Sequence, residues 1–296
     1  DNSGNITLTS ANSVGMYYQP GNIGTNSNIE FKNSGMIDSD DLSNTGMYAK
    51  KSVDGKAYKT INDGSIILKD GTDNNPTVAI YTDATNLLEN KKIIIIGNKA
   101  VGMYGYDAIN SDSITVGNSS IAIYSQGGKV ETKDKSNSII GNNNSVGIFL
   151  KGNTGELVSS GKYAVGKNSY GIVNRGANNK IEITKGHARL NGNAKFIYSE
   201  DITGEIINKA EIKSSGRFGG ADNNNYGIYS KGKVTNTGNI IFETGDGNVG
   251  ILAKDSVASI TNSGTIKIGE SSSKTERNIA IVSDDGKAKN EGAVVA

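Results

Sequence analysis

The residues able to do chemistry in this chain are few. It holds one histidine, His187, and neither cysteine nor tryptophan. Without Cys there is no thiolate nucleophile, no thiolate metal site and no disulfide. A nucleophile–base pair is therefore limited to His187, which stands near Arg189 in TKGHARLNGNA (184–194), a stretch that reads as a loop-rich insertion. No G-x-S-x-G elbow and no H-E-x-x-H accompanies it. The four arginines are Arg175, Arg189, Arg217 and Arg277. No carboxylate pair recurs opposite them, as acid–base cleavage of a polysaccharide would require. GRFGGAD (216–222), which contains Arg217, Phe218 and Asp222, is rich in Gly. It is not a phosphate loop, because no Lys-Ser/Thr and no helix follows. Asp38/Asp40/Asp41, Asp70/Asp73 and Asp284/Asp285 show acidic spacing compatible with a calcium loop. The full twelve-residue calcium pattern and the G-G-x-G-x-D nonapeptide are both missing. The expectation is a chain without catalytic residues, metal or cofactor. What remains is binding chemistry, above all a recurring tyrosine.

That tyrosine belongs to a repeat. One phrase is ITNSGTIKI (260–268), which returns as VTNTGNIIF (234–242). Counted from its Asn, it has an apolar residue at −2, Gly or another turn residue at +2, and apolar residues at +4 and often +6. Good copies centre on Asn33, Asn208, Asn236 and Asn262. Asn2 and Asn62 head copies without the leading apolar residue, and looser copies are read at Asn90, Asn110, Gln126, Asn153, Ala177 and Asn290. All spacings are even, so these side chains share one face of an extended chain. A second phrase alternates with the first: VGMY (14–17), TGMY (45–48), VAIY (78–81), VGMY (101–104), IAIY (121–124), VGIF (146–149), YGIV (170–173), KFIY (195–198), YGIY (226–229), VGIL (249–252) and IAIV (279–282).

Eleven alternations at a mean period of about 26 residues fall in the range of solenoids. Ile (36), Asn (37) and Gly (39) dominate, and only two Pro occur. Ile suits pleated surfaces, while Asn and Gly tolerate left-handed turns. The fold expected is all-β: a single parallel β-helix over 1–296, right-handed and three-faced, of about 11 coils. At one strand spacing per coil it forms a rod about 50 Å long. In this reading the −2, +4 and +6 side chains point inward. Asn and Gly turn corners, and the Asn amide bonds the next coil. KYAV (162–165), HARL (187–190) and NSII (137–140) are candidate third strands. Tyr17, Tyr48, Tyr81, Tyr104, Tyr124, Phe149, Tyr198 and Tyr229 fall at equivalent outward positions. Such a ladder either stabilises the stack or offers a platform to sugar rings.

The joint between +6 and the second phrase varies most in length. It reads as long at 69–77, 133–145, 184–194, 215–225 and 269–278, with a second variable edge at 18–30 and 49–59. Insertions along one edge are where a solenoid tends to bind. The candidate partner-binding residues are therefore Arg217, Phe218, Asp222, His187, Arg189, Tyr104, Tyr124 and Tyr229. With 31 basic and 30 acidic residues the net charge is +1. This gives no electrostatic case for a nucleic-acid partner or an anionic membrane.

The alternation of N-x-G-x-I-x-I with [VY]-G-I-Y, in an Asn/Lys/Ile-rich chain without Cys, resembles the passenger regions of large type V autotransporter adhesins, particularly the fusobacterial ones. The resemblance spans essentially the whole chain. It implies export across the outer membrane and a right-handed β-helical stalk on the bacterial surface. It also implies attachment through a membrane barrel outside this stretch, and a role in adhesion and virulence. The partner would be a protein or glycan receptor on host cells or other bacteria. No binding residue carries over, because the matching motifs are scaffold. The chain opens DNSGNITL without a charged-then-apolar leader, and the repeat runs through both ends. It is therefore expected to be a monomeric segment of a longer passenger. GNSSIAIY (117–124) and GKNSYGIV (166–173) also resemble repeats of trimeric autotransporter heads. Two other readings stay open: a pure structural spacer, and a β-helical polysaccharide lyase or hydrolase.

Overall fold

Alternating inward and outward residues, broken by turns every few positions, give each coil three short strands. The computed structural model describes residues 1–25, 29–83, 85–214, 223–273 and 275–295. One coil shows the plan: Lys233–Asn236, Ile240–Phe242 and Val249–Lys254. Each pairs in parallel with its counterpart in the next coil, Ser259–Asn262, Ile266–Ile268 and Ile279–Asp284. Repeated along the chain, this makes one sheet of twelve strands and two of eleven, all parallel among the described residues. The coil itself is the crossover that parallel pairing needs. The first phrase supplies two faces, here termed the asparagine and aliphatic sheets, and the second phrase supplies the aromatic sheet.

The inward side chains form one continuous core. In the example coil Val234, Asn236, Ile240, Phe242, Val249, Ile251 and Ala253 are all buried. That is more apolar burial per coil than the −2, +4, +6 pattern alone counts. Across coils, Ile37, Ile66, Ile94 and Ile114 line up in register on the aliphatic sheet and are fully buried. At −2 to 0 the asparagine column runs inward too, because zero shares the parity of −2.

Buried asparagine needs partners, and each rung finds them on the next coil. The Nδ2 of Asn33 donates to Oδ1 of Asn62 at 2.9 Å, Asn62 to Asn90 at 2.8 Å, and Asn90 to Asn110 at 2.8 Å. The ladder resumes from Asn208 to Asn236, Asn262 and Asn290, each bond 2.7 Å. The expected bond between coils is present. The left-handed backbone is not at these residues. Most of it lies at the corner between the aliphatic and aromatic sheets, as at Lys99, Ser119, Asn144, Asn168, Asn193 and Asn224, with Thr154, Asn178 and Asp285 at the corner between the aromatic and asparagine sheets. The Gly at +2 answers to close approach instead: a Cβ on Gly64 would stand 1.8 Å from the carbonyl oxygen of Gly35.

Three coils depart from the phrase as read. The residues in register with the ladder are Thr132, Ser159 and Ile183, not Gln126, Asn153 and Ala177. The frame slipped because Thr and Ser replace Asn here while chance Gln, Asn and Ala stand six residues earlier. Tyr163 fills the space. It is buried between Ser138 and Ala188 of the adjoining coils, both small. Its hydroxyl bonds Ser159 Oγ at 2.7 Å and reaches Thr132 Oγ1 at 3.4 Å. Its ring meets buried Phe196 at 5.2 Å. Phe196 takes the small-residue position of its phrase; a Cβ on Gly171, in the preceding coil, would stand 2.6 Å from its ring.

The same slip explains the joints. NSII, KYAV and HARL are strands of the aliphatic sheet, Asn137–Ile140, Lys162–Val165 and His187–Leu190. The stretches 133–145 and 184–194 are thus not insertions; each contains a strand. Joint 69–76 and the described parts of joint 269–278, residues 269–273 and 275–278, carry no strand, and most of 215–225 lies outside the described residues. Within the second variable edge, Asp54 accepts from the N–H groups of Ile23 and Gly24 across two loops, at 3.0 and 2.9 Å.

Candidate binding face

The sequence-derived candidates fall on two faces. Tyr104, Tyr124 and Tyr229 project from the aromatic sheet, while His187 and Arg189 project from the aliphatic sheet. Arg217, Phe218 and Asp222 lie outside the described residues. Arg175 follows an aromatic-sheet strand and so does not join Arg189, although their coils are adjacent.

On the aromatic sheet the ladder is real and in register. Tyr81, Tyr104, Tyr124 and Phe149 stack face to face, with centroids 4.9, 4.8 and 5.2 Å apart and planes within 13°. Val173 interrupts the column. Tyr198 and Tyr229 form a second stack at 4.6 Å. Tyr229 is therefore separate from the Tyr104–Tyr124 pair. The rings are half-buried by one another, which is the packing role. Burial, then the neighbouring phenols, pushes Tyr81 and Tyr104 upward. Burial together with the Glu200 carboxylate pushes Tyr198 up to about 12. These phenols stay neutral at physiological pH. The ammonium of Lys195 sits 5.2 Å from the rings of both Tyr170 and Tyr226, a cation held between two aromatics. Burial holds its pKa below the ordinary lysine value.

In the second and third acidic clusters, carboxylates cap a turn or pair with lysines, whereas Asp38 Oδ1 of the first is buried without a partner among the described residues. Asp70 accepts from the backbone and side-chain N–H groups of Asn98 at 2.8 and 3.0 Å. Asp73 pairs with Lys99 at 3.1 Å, and Asp284 with Lys254 at 3.5 Å. Among the described residues no three His, Cys, Asp or Glu side chains converge as a metal site would require.

The aliphatic sheet carries the more open surface. Its outward column reads Ile67, Ile95, Thr115, Ile139, Ala164, Arg189, Lys213. Ile67, Ile95 and Ile139 are each at least 40% exposed, so this stretch of the column, which lies between Asp38 and Ile241, turns from greasy to basic. A second column beside it reads Asn137, Lys162, His187, Glu211. Where the two columns change character, short Ala164 sits between Ile139 and Arg189. The surface dips there into an open concavity of about 810 Å³, lined by Ile139, Lys162, Ala164, His187, Arg189 and Asn191 among others. That volume is in the range of small-ligand sites.

The electrostatics of the dip are one-sided. His187 is held below its ordinary value by burial first, then by Arg189, Lys162 and Lys213, with Glu211 opposing. Of the three cations, Lys213 alone is ion-paired among the described residues, to Glu211 at 2.6 Å. The Nε–H of Arg189 is buried with no acceptor among the described residues. Such an orphaned charged donor is costly unless something accepts from it.

Sequence reading found His187 and Arg189 and gave HARL (187–190) as a candidate strand, which it is, while also counting it within a loop-rich insertion, which it is not. Ile139, Lys162 and Ala164 were missed as surface features. The available signal was the strict inward–outward parity of NSII, KYAV and HARL, which makes a row of three outward pairs. Compared with protein-family models, with curated proteins and with solved structures, the chain matches none.

Proposed function

We propose that this chain is a non-catalytic segment of a bacterial cell-surface adhesin. It is exported across the outer membrane and held there by a barrel outside this stretch. The solenoid is the scaffold, and its lateral faces meet a protein or glycan on host cells or on other bacteria. The observation that carries this reading is the outer face of the aliphatic sheet: exposed Ile67, Ile95 and Ile139 running into Lys162 and Arg189, neither ion-paired among the described residues. A surface that only had to stay in water would pair or disperse such groups. The Glu–Lys pairs elsewhere on the rod do so, as in Glu182 with Lys209 at 2.8 Å and Glu205 with Lys233 at 2.7 Å. The weight of binding therefore shifts from edge loops to this face, with joints 69–76 and 269–278 beside it.

The test is binding of the purified chain, shown by circular dichroism to be folded, to panels of host and bacterial cells. Saturable binding blocked by one class of competitor supports the adhesin. Absence of binding refutes it for this stretch and favours the spacer reading, which the interrupted but in-register asparagine and aromatic ladders also suit. Release of sugar from acidic polysaccharides would overturn the non-catalytic assignment.

A further inference from the structure

We propose that the concavity over Ile139, Lys162, Ala164, His187 and Arg189 is a binding site for an acidic saccharide. This names the ligand class of the adhesive face and rests on that reading.

Four features of the site converge. First, the cations: Lys162 and Arg189, neither ion-paired among the described residues, rise from successive coils of the aliphatic sheet about 4.8 Å apart along the rod, with ion-paired Lys213 on the coil beyond. A linear acidic sugar carries its charges at a comparable repeat. Second, Arg189 lines the concavity, while its Nε–H is buried beneath with no acceptor among the described residues. The planar guanidinium beyond it is the group that matches a carboxylate or sulfate. Third, the floor is aliphatic, with Ile139 and exposed Ala164 forming a flat patch against which the apolar face of a pyranose packs. Fourth, the walls carry side-chain amides. Asn142 accepts from the N–H of Lys167 at 2.7 Å, which fixes its amide at the rim. Asn137 and Asn191 also line the site. An amide both donates and accepts, as a row of sugar hydroxyls requires.

The alternative partner with the same charge is an acidic peptide, and the face does not favour it. An extended peptide gains most of its affinity by adding to a free sheet edge. Here the backbone of Lys162–Val165 is paired on both sides, with Asn137–Ile140 and His187–Leu190. Only side chains are offered, and they suit a flat polyhydroxylated ring.

His187 sharpens the case. Its imidazole faces Lys162 on one neighbouring strand, Lys213 and Glu211 on the other, and Arg189 on its own. Empty, the site resists a further positive charge. An anion removes that resistance, so binding and protonation of His187 assist one another.

The experiment uses the intact chain with immobilised oligosaccharides of three kinds: uronate oligomers, heparin-derived sulfated oligomers and neutral dextran oligomers. Poly-glutamate serves as the acidic peptide. The expected result is binding of one or both anionic sugars, weakened by added salt, with none of dextran. Lys162→Ala and Arg189→Ala should each weaken it at least tenfold. Lys267→Ala, on the same sheet but paired with Glu243, should leave it unchanged. Preference for uronate or sulfate identifies which acidic group the site takes. All variants are outward and are checked by circular dichroism. Failure of every sugar to bind, undiminished binding in both variants, or tighter binding of poly-glutamate would each overturn the proposal. Cell binding that survives Lys162→Ala/Arg189→Ala overturns this site while leaving the adhesin standing. Saccharide binding without cell binding does the reverse.

Discussion

Asn236→Ala tests whether the buried amide ladder holds the coils together. Asn236 donates to Asn262 Oδ1 at 2.7 Å and to the carbonyl of Gly238 at 3.1 Å, and it accepts from Asn208 Nδ2 at 2.7 Å. Truncation orphans the first two acceptors outright. Asn208 keeps a second acceptor, the carbonyl of Ala210 at 3.2 Å. At about 1–3 kcal/mol for each of the two buried groups left without a partner, the loss is about 2–6 kcal/mol. Because coils interact only with neighbours, the damage should be local. The assay is amide hydrogen exchange read peptide by peptide, with urea melts alongside. Protection should fall across 205–212, 233–242 and 259–268 and hold across 59–68. Thr235→Ala, a neighbouring outward residue, should change stability by less than about 0.5 kcal/mol. A loss in Asn236→Ala under about 1 kcal/mol, or one spread evenly along the rod, would refute the ladder as a source of stability.

Three further outcomes follow from the packing. Tyr124→Ala removes two stacked contacts, at 4.8 and 5.2 Å, and should lower stability by about 1–3 kcal/mol beyond its area term; Tyr229→Ala removes only the contact with Tyr198 and should cost about half as much, as thermal melts will show. Tyr163→Phe should cost only about 1 kcal/mol, since Thr132 and Ser159 still bond each other at 2.7 Å, whereas Tyr163→Ala should cost about 3–5 kcal/mol by opening the core. His187 is the sole histidine, so its imidazole titration can be followed as one proton NMR signal. Its midpoint should lie below about 6.5 and rise in Arg189→Ala. A depressed midpoint means the unfolded chain binds this proton more tightly, so the contribution to stability is present above the unfolded value and is lost as pH falls through and below it. A midpoint at or above the ordinary value would contradict the one-sided electrostatics of the dip.

Much of the scaffold was legible because its signals are periodic. Even spacing within the first phrase gave the inward face, and the second phrase marked all eleven strands of the aromatic sheet, including the tyrosine register. What escaped was phase, wherever a residue of another type serves the same interior position. Thr132, Ser159 and Ile183 occupy the ladder without looking like it, and Tyr163 restores the volume from a different strand. Sequence spacing records which residues share a face; it does not record which coil supplies the bulk. The binding face was hidden by the same error. His187 and Arg189 were singled out as unusual residues, but a dip made by the smallness of Ala164 has no motif. It exists only once three coils are laid side by side.

The direction of the hydrogen bonds has a mechanical consequence. Nearly all strand pairing runs along the rod, from coil to coil, so a pull on its two ends loads the interfaces in series. Each interface must carry the full tension, and the weakest gives first. Coils then peel singly. Neighbouring ladder rungs such as Asn236 and Asn262 are 26 residues apart. One released coil therefore lengthens the tether by about 80 Å, against a folded rise of about 4.8 Å. Stretched between two surfaces, such a rod takes up a tug as a sawtooth of small yields, and it can rewind when the tug stops.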